Sequence, residues 1–222
     1  MVRVSGIDES TQALVTIGAP AVGMGFLTES GDVITAFHNV RQYFPREVLA
    51  NGKSAHLLPP PGQDTFVPVD SFAEPKVGKV DLLLTGHDPS SDIAVLSFVD
   101  PENLAGEDER KRWDELLKRP RLRVITDDQL LNVPLRVQIC TLERKILSGN
   151  VTKRLPLGRS LALDFGFPPG TSGSPALTER AEAIGVASNA EGNQGRLVYL
   201  AMALPGWMLL RLRAAEAESG PR

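Results

Sequence analysis

The chain has one cysteine, Cys140, so no disulfide can close within it, and disulfide-stapled secreted frameworks are excluded. That lone thiol ends the apolar run Val137-Gln138-Ile139-Cys140 and reads as core filler. Positive charge is also in short supply. Lys and Arg number 24 against 27 Asp and Glu, a net charge of −3, which gives phosphate-dominated nucleic-acid binding no support. No long hydrophobic run is present. The apolar stretch Tyr199 to Leu210 is broken by Pro205 and Gly206 and is too short to span a bilayer. The opening residues, Met-Val-Arg-Val-Ser-Gly-Ile-Asp, lack the apolar segment of a secretory signal. These absences predict a reducing, cytoplasmic setting without nucleic-acid or membrane partners. Histidine is scarce too, so any imidazole chemistry falls to His38, His56 or His87.

What remains is ordinary for a globular chain: 222 residues, 42% hydrophobic and 23% charged, enough for one generous domain or two small barrels. The pattern is short β-rich runs cut by turn residues, which predicts an all-β architecture. Expected strands are 13–17, 24–27, 33–37, 55–58, 66–69, 79–87 and 93–98, then 122–125, 136–142, 145–151, 160–164, 183–187 and 197–202. Asn51-Gly52 signals a hairpin, and Pro59-Pro60-Pro61-Gly62 an exposed loop. Between the two strand sets, 107–119 predicts a charged helix stopped by Pro120. Its i,i+4 pairs are Glu107–Lys111, Asp108–Arg112, Asp114–Lys118 and Glu115–Arg119, and Trp113, Leu116 and Leu117 form a docking stripe. After Pro205-Gly206, residues 207–214 predict a short terminal helix.

Three segments carry chemistry. Gly170-Thr171-Ser172-Gly173-Ser174-Pro175 is a serine in a glycine-punctuated turn, where successive amides can converge on one oxygen. Gly23-Met24-Gly25-Phe26-Leu27 leads through Ser30-Gly31-Asp32 to a second run ending at His38. Asp88-Pro89-Ser90-Ser91-Asp92 feeds the apolar run Ile93-Ala94-Val95-Leu96. In chain order these supply His38, Asp92 and Ser172, the three roles of a carboxylate-supported serine nucleophile. Asp92 opens a strand and suits the orienting role, whereas Asp88 precedes proline and suits a turn. Ser174 reads as a loop hydrogen-bonder. The Gly-x-Ser-x-Gly elbow of α/β-hydrolases fails, because Ser174 stands at its last position and the residue order is wrong.

Taken together, over roughly residues 12 to 205, these motifs resemble the trypsin-like (chymotrypsin-fold) serine peptidases, closest to the bacterial HtrA/Deg-type branch. The resemblance implies two six-stranded antiparallel β-barrels with the charged helix between them and the short helix at the end. Residues 1–120 would form an N-terminal barrel carrying His38 and Asp92 and ending in helix 107–119; residues 121–222 would form a C-terminal barrel carrying Ser172. It implies a serine endopeptidase with His38 as general base, Asp92 as its orienter, Ser172 as nucleophile and the Gly170 and Ser172 amides as oxyanion hole. It implies no metal or cofactor, a protein or peptide substrate, and control by loop ordering or a regulatory protein partner, since Thr171 cannot form the ion pair of zymogen activation. It also places the specificity-pocket floor at Gly166 beside Phe167 and the wall at Ser188, Asn189 and Ala190. With no acidic floor, an apolar or small side chain is expected before the cleaved bond. The chain departs from the pattern at Phe37, whose bulk is expected to reshape the pocket beside the base, and at Ser174. The absence of a PDZ-like segment argues against assuming the behaviour of longer relatives. The alternative is a catalytically weak or inactive trypsin-like module that keeps the fold for protein recognition in a signalling or defence assembly.

Overall fold

Short runs of β-branched and aliphatic residues punctuated by turns fold here into two closed barrels. The computed structural model of the protein describes residues 10–18, 23–44, 47–50, 53–56, 64–73, 78–98, 106–126, 134–155, 160–193 and 196–205, with the backbone alone at 47–50, 53–56, 189–193 and 196–198. In the first barrel, β1 (Leu14–Ile17), β2 (Gly23–Leu27), β3 (Val33–Ala36), β6 (Phe66–Ser71), β7 (Val80–Asp88) and β8 (Ile93–Ser97) close in the order β1-β2-β3-β8-β7-β6. A separate hairpin of β4 (Glu47–Ala50) and β5 (Lys53–His56) interrupts it, and a one-turn helix, α1 (Phe37–Val40), follows β3. The second barrel closes β9 (Leu135–Cys140), β10 (Ile146–Leu155), β11 (Ser160–Leu163), β12 (Pro175–Leu177), β13 (Ala183–Asn193) and β14 (Arg196–Ala203) in the order β10-β11-β14-β13-β12-β9. All ladders within the barrels are antiparallel. This is the trypsin-like fold.

Strand period sets what faces inward. In β6, Val67 and Val69 are fully buried while Phe66 faces solvent. The first core, built on Leu14, Phe26, Ile34, Leu82 and Leu96, runs on into Cys140, Leu177, Val186 and Met202 of the second barrel, so the barrels share an apolar junction. Val137, Ile139, Leu161 and Ile184 fill the second barrel.

Three expectations need correction. The run 122–125 is no barrel strand: it is a connector whose residues Leu122 and Val124 make single bridges, one to Thr28 and one to Ala183. It is stitched to both barrels, with Leu122 N–H donating to Leu27 O and Ile125 N–H to Ala183 O, both at 2.9 Å. The sixth strand of the second barrel is β12 instead. The run 33–37 stops at Ala36, and His38 stands on α1 rather than on a strand end. The hairpin β4–β5 pairs in the register Ala50↔Lys53. The Asn51-Gly52 turn between them, the Pro59–Gly62 loop and the helix expected at 207–214 all lie outside the described residues.

The helix α2 (Glu107–Leu117) docks on the first barrel through buried Trp113 and Leu116, with Trp113 edge-on to Phe98 at 5.2 Å. Glu107 and Lys111 form the expected pair at 3.1 Å. Arg112 instead donates to main-chain carbonyls, Asp108 O at 3.1 Å and Lys79 O at 3.2 Å, which ties the helix to the barrel. No described helix is long and apolar enough to cross a membrane.

Candidate active site

The pairing of β3 with β8, Ala36↔Ile93 in register, brings the end of one strand beside the start of the other. His38 and Asp92, far apart in sequence, therefore meet. Phe37 N–H donates to Asp92 O and His38 N–H to Asp92 Oδ1, both at 2.9 Å, so this aspartate caps the first turn of α1 from the turn that precedes β8. Its other oxygen, Oδ2, accepts His38 Nδ1–H at 2.8 Å. One carboxylate thus fixes both backbone and ring of the histidine. With Nδ1 donating, the neutral imidazole keeps its lone pair on Nε2.

Asp92 adopts φ 48°, in the left-handed region that a short polar residue tolerates best. Asp88 holds the preceding turn: its Oδ1 accepts Ser90 N–H at 2.9 Å and its Oδ2 accepts Ser91 Oγ–H at 2.8 Å. This is the turn-forming role expected of it. Burial raises the Asp92 carboxyl, but hydrogen bonds from His38 and Ser188 outweigh it and leave the group below the ordinary aspartate value. The side chain of Asp92 is 16% exposed and that of His38 29%, so the ring is the more open of the two to solvent.

Ser172 stands on two consecutive tight turns. Thr171 N–H closes on Pro168 O at 3.3 Å with Gly170 at φ 83°, and Ser174 N–H on Thr171 O at 3.0 Å with Gly173 at φ 94°. Each glycine occupies the third turn position, where positive φ is required, and Pro169 precedes Gly170 as a type II turn favours. Among the described residues, neither the Gly170 nor the Ser172 amide donates a hydrogen bond within the chain. The loop is anchored on both barrels: Gly173 N–H donates to Ala187 O, Met24 N–H to Ser172 O, and Ser174 Oγ–H to Cys140 O, each at 2.8 Å. Ser174 is therefore the loop hydrogen-bonder its position suggests. Cys140 is inert core, its thiol pushed up to about 11 by burial.

The Ser172 hydroxyl donates to Ser188 O at 2.9 Å and, among the described residues, makes no hydrogen bond with His38. Ser188 in turn donates its own hydroxyl to Asp92 Oδ2. The four residues form one connected chain, Ser172–Ser188–Asp92–His38, across the junction of the barrels. The sequence marks Ser188 only as a pocket wall; in the structure its hydroxyl also holds Asp92. The ladder of β13 with β14 shifts register between Ala187 and Ala190, where Ser188 lies, and nothing local in the sequence signals that irregularity.

Gly166 backs onto Tyr199: a Cβ there would lie 2.6 Å from the ring. Phe167 packs edge-on against the same ring at 5.2 Å. Tyr199 thus packs against both Gly166 and Phe167, a contact that sequence reading did not pick out. At Asn189 and Ala190 the backbone continues β13, and their side chains are outside the described set. Phe37, whose bulk the sequence singles out beside the base, is buried, stacked on His87 at 5.3 Å and edge-on to Phe44 at 5.4 Å. His87 is accordingly structural. Among the described residues no group of His, Cys, Asp and Glu could hold a metal ion.

Comparison with solved structures agrees with this architecture. The chain is similar to the HtrA-type protease AlgW with a decapeptide at 14% identity and TM-score 0.58, covering 98% of this chain and 68% of that one. It is similar to the serine endoprotease from Yersinia pestis at 14% identity and TM-score 0.58, covering 98% and 66%. A third similar structure, AlgW with a tripeptide, gives 15% identity and TM-score 0.57, covering 97% and 63%. The chain thus spans about two thirds of the length of these proteases. No family model matches the chain, and no curated protein matches it. The fold is that of the HtrA-type serine proteases.

Proposed function

We propose that the protein is a serine endopeptidase working through an acyl-enzyme. The observation that carries this reading is the Asp92–His38 pair, held ring and backbone, at the same barrel junction as a serine loop whose two candidate oxyanion amides donate no hydrogen bond among the described residues. Ser172 Oγ leaves the Ser188 carbonyl by a χ1 rotation and turns to His38 Nε2. Nε2 takes the hydroxyl proton as Oγ attacks the peptide carbonyl, and the Gly170 and Ser172 amides stabilise the oxyanion. Imidazolium, held by Asp92, returns the proton to the leaving amine; water, deprotonated by the same ring, then releases the acid and restores Ser172. No metal or cofactor enters these steps.

The substrate is a protein or peptide, as the peptide-bearing AlgW structures suggest by analogy of fold. An apolar or small side chain before the cleaved bond suits Gly166, Phe167 and Tyr199, with Ser188, Asn189 and Ala190 as wall. Residues 1–120 and 121–222 act as two domains with the site between them, in the cytoplasm, subject to a regulatory protein partner. Turnover of a casein-type substrate by Ser172→Ala should fall by about 10⁶-fold; activity near wild type in that variant contradicts the assignment.

A second reading is an inactive recognition module. The observation in its favour is that the Ser172 proton is committed to Ser188 O rather than to His38. It predicts no turnover in the wild-type protein either.

A further inference from the structure

We infer that Asn39 is a positioning residue for the nucleophile, holding the Ser172 main chain in the frame of His38; this rests on the acyl-transfer reading above. Asn39 follows the histidine directly on α1 and is buried, 1% exposed, where a side-chain amide is costly unless fully paired. Its Nδ2–H donates to Ser172 O at 2.8 Å, alongside Met24 N–H at 2.8 Å. The same amide donates to Thr35 Oγ1 at 3.2 Å and lies 3.4 Å from Met24 O, while Thr35 Oγ1–H donates to Met24 O at 2.6 Å. One buried carboxamide therefore joins β2, β3 and the serine loop.

An independent feature marks the same contact. A Cβ on Gly23 would lie 2.3 Å from Asn39 Nδ2 and 2.4 Å from its Cγ. The first residue of β2 is bare because the carboxamide fills the space above it. Successive positions on a helical turn point about 100° apart, so His38 faces Asp92 while Asn39 faces the serine loop. The two adjacent residues set base and nucleophile in one frame across two barrels. Fixing the Ser172 carbonyl fixes the peptide that follows, and with it the direction of the Ser172 Cα–Cβ bond.

Two variants test this from opposite sides. Asn39→Leu keeps the volume and removes the donors; Gly23→Ala leaves Asn39 chemically intact but pushes its amide off the loop. Each should slow the maximal rate of fluorophosphonate labelling by about 10- to 100-fold, as small misplacements of reacting groups do. The probe concentration for half-maximal rate should stay within about twofold, and the pH at half-maximal rate should not move, since Asp92 still holds His38. In a Ser172→Ala background, where no chemistry intervenes, either change should speed hydrogen exchange at the amides of 170–174. Should Asn39→Leu fail to fold, Gly23→Ala decides. Unchanged exchange in the loop, or an unchanged labelling rate in a folded variant, overturns the inference. If wild type does not label while exchange accelerates as expected, the acyl-transfer reading is what fails, and the positioning role falls with it.

Discussion

Gly173 is the point where the backbone of the serine loop presses on the first barrel, and Gly173→Ala puts a number on that contact. A Cβ at 173 would stand 1.7 Å from Met24 O, 2.6 Å from Thr35 Oγ1 and 2.7 Å from Met24 C. Real Cβ contacts stay beyond 3.0 Å, so two main chains must part by at least 3.0 − 1.7 = 1.3 Å. No rotamer relieves a clash with a carbonyl oxygen. Forcing φ 94° on an alanine costs roughly 1–2 kcal/mol. Opening the gap also breaks the two hydrogen bonds to Ser172 O, each 2.8 Å long, for about 1 kcal/mol apiece. The sum is about 3–4 kcal/mol. For a chain of this size that corresponds to a fall in melting temperature of about 6–16 °C. Urea denaturation followed by tryptophan fluorescence measures the free energy directly. A change below about 1 kcal/mol would refute the reasoning, because it would mean the two backbones are not in contact there.

Two further predictions follow from buried polar groups. Thr171 is fully buried and its Oγ1 finds no hydrogen-bond partner among the described residues; the isosteric Thr171→Val should therefore stabilise by about 1 kcal/mol, seen as a melting temperature higher by about 2–4 °C. A lower melting temperature would show that the hydroxyl has an acceptor. Asp92 is held below its ordinary value, so its ionised form stabilises the fold above the unfolded pKa of about 3.9, and that contribution is lost as pH falls through the folded value. The stability gap between wild type and Asp92→Asn should be flat above about pH 5 and should shrink below about pH 3.9. A gap that widens on acidification reverses the sign and rejects the assigned cause. At neutral pH the same variant should lose about 10⁴-fold in turnover.

How much of this was legible in the sequence depends on whether the information was local. His38 and Asp92 were legible because each closes or opens an apolar run next to a polar turn, and the β3–β8 ladder needs only that register to join them. The turn at 170–175 was legible from Gly170, Gly173 and Pro175 alone. The strand β12 was not, since Pro175-Ala176-Leu177 is three residues long and opens with a residue that cannot donate to a ladder. Conversely, 122–125 has strand composition but is taken up as a bridge between barrels, because tertiary stitching overrides local propensity. The hydroxyl of Ser188 on Asp92, the carboxamide of Asn39 on Ser172 and the ring of Tyr199 under Gly166 all depend on where two distant segments cross. No window of sequence holds that information. Phe37 shows the converse: its bulk was visible, but not that it turns to Phe44 and His87.

The central claim is that Ser172 is an activated nucleophile served by His38. Labelling the intact protein with a fluorophosphonate and mapping the adduct by mass spectrometry tests it most directly. The account predicts one adduct on the peptide containing Ser172, absent from Ser172→Ala and strongly slowed in His38→Ala. No adduct on folded wild-type protein, or an adduct carried by Ser174 instead, would contradict it.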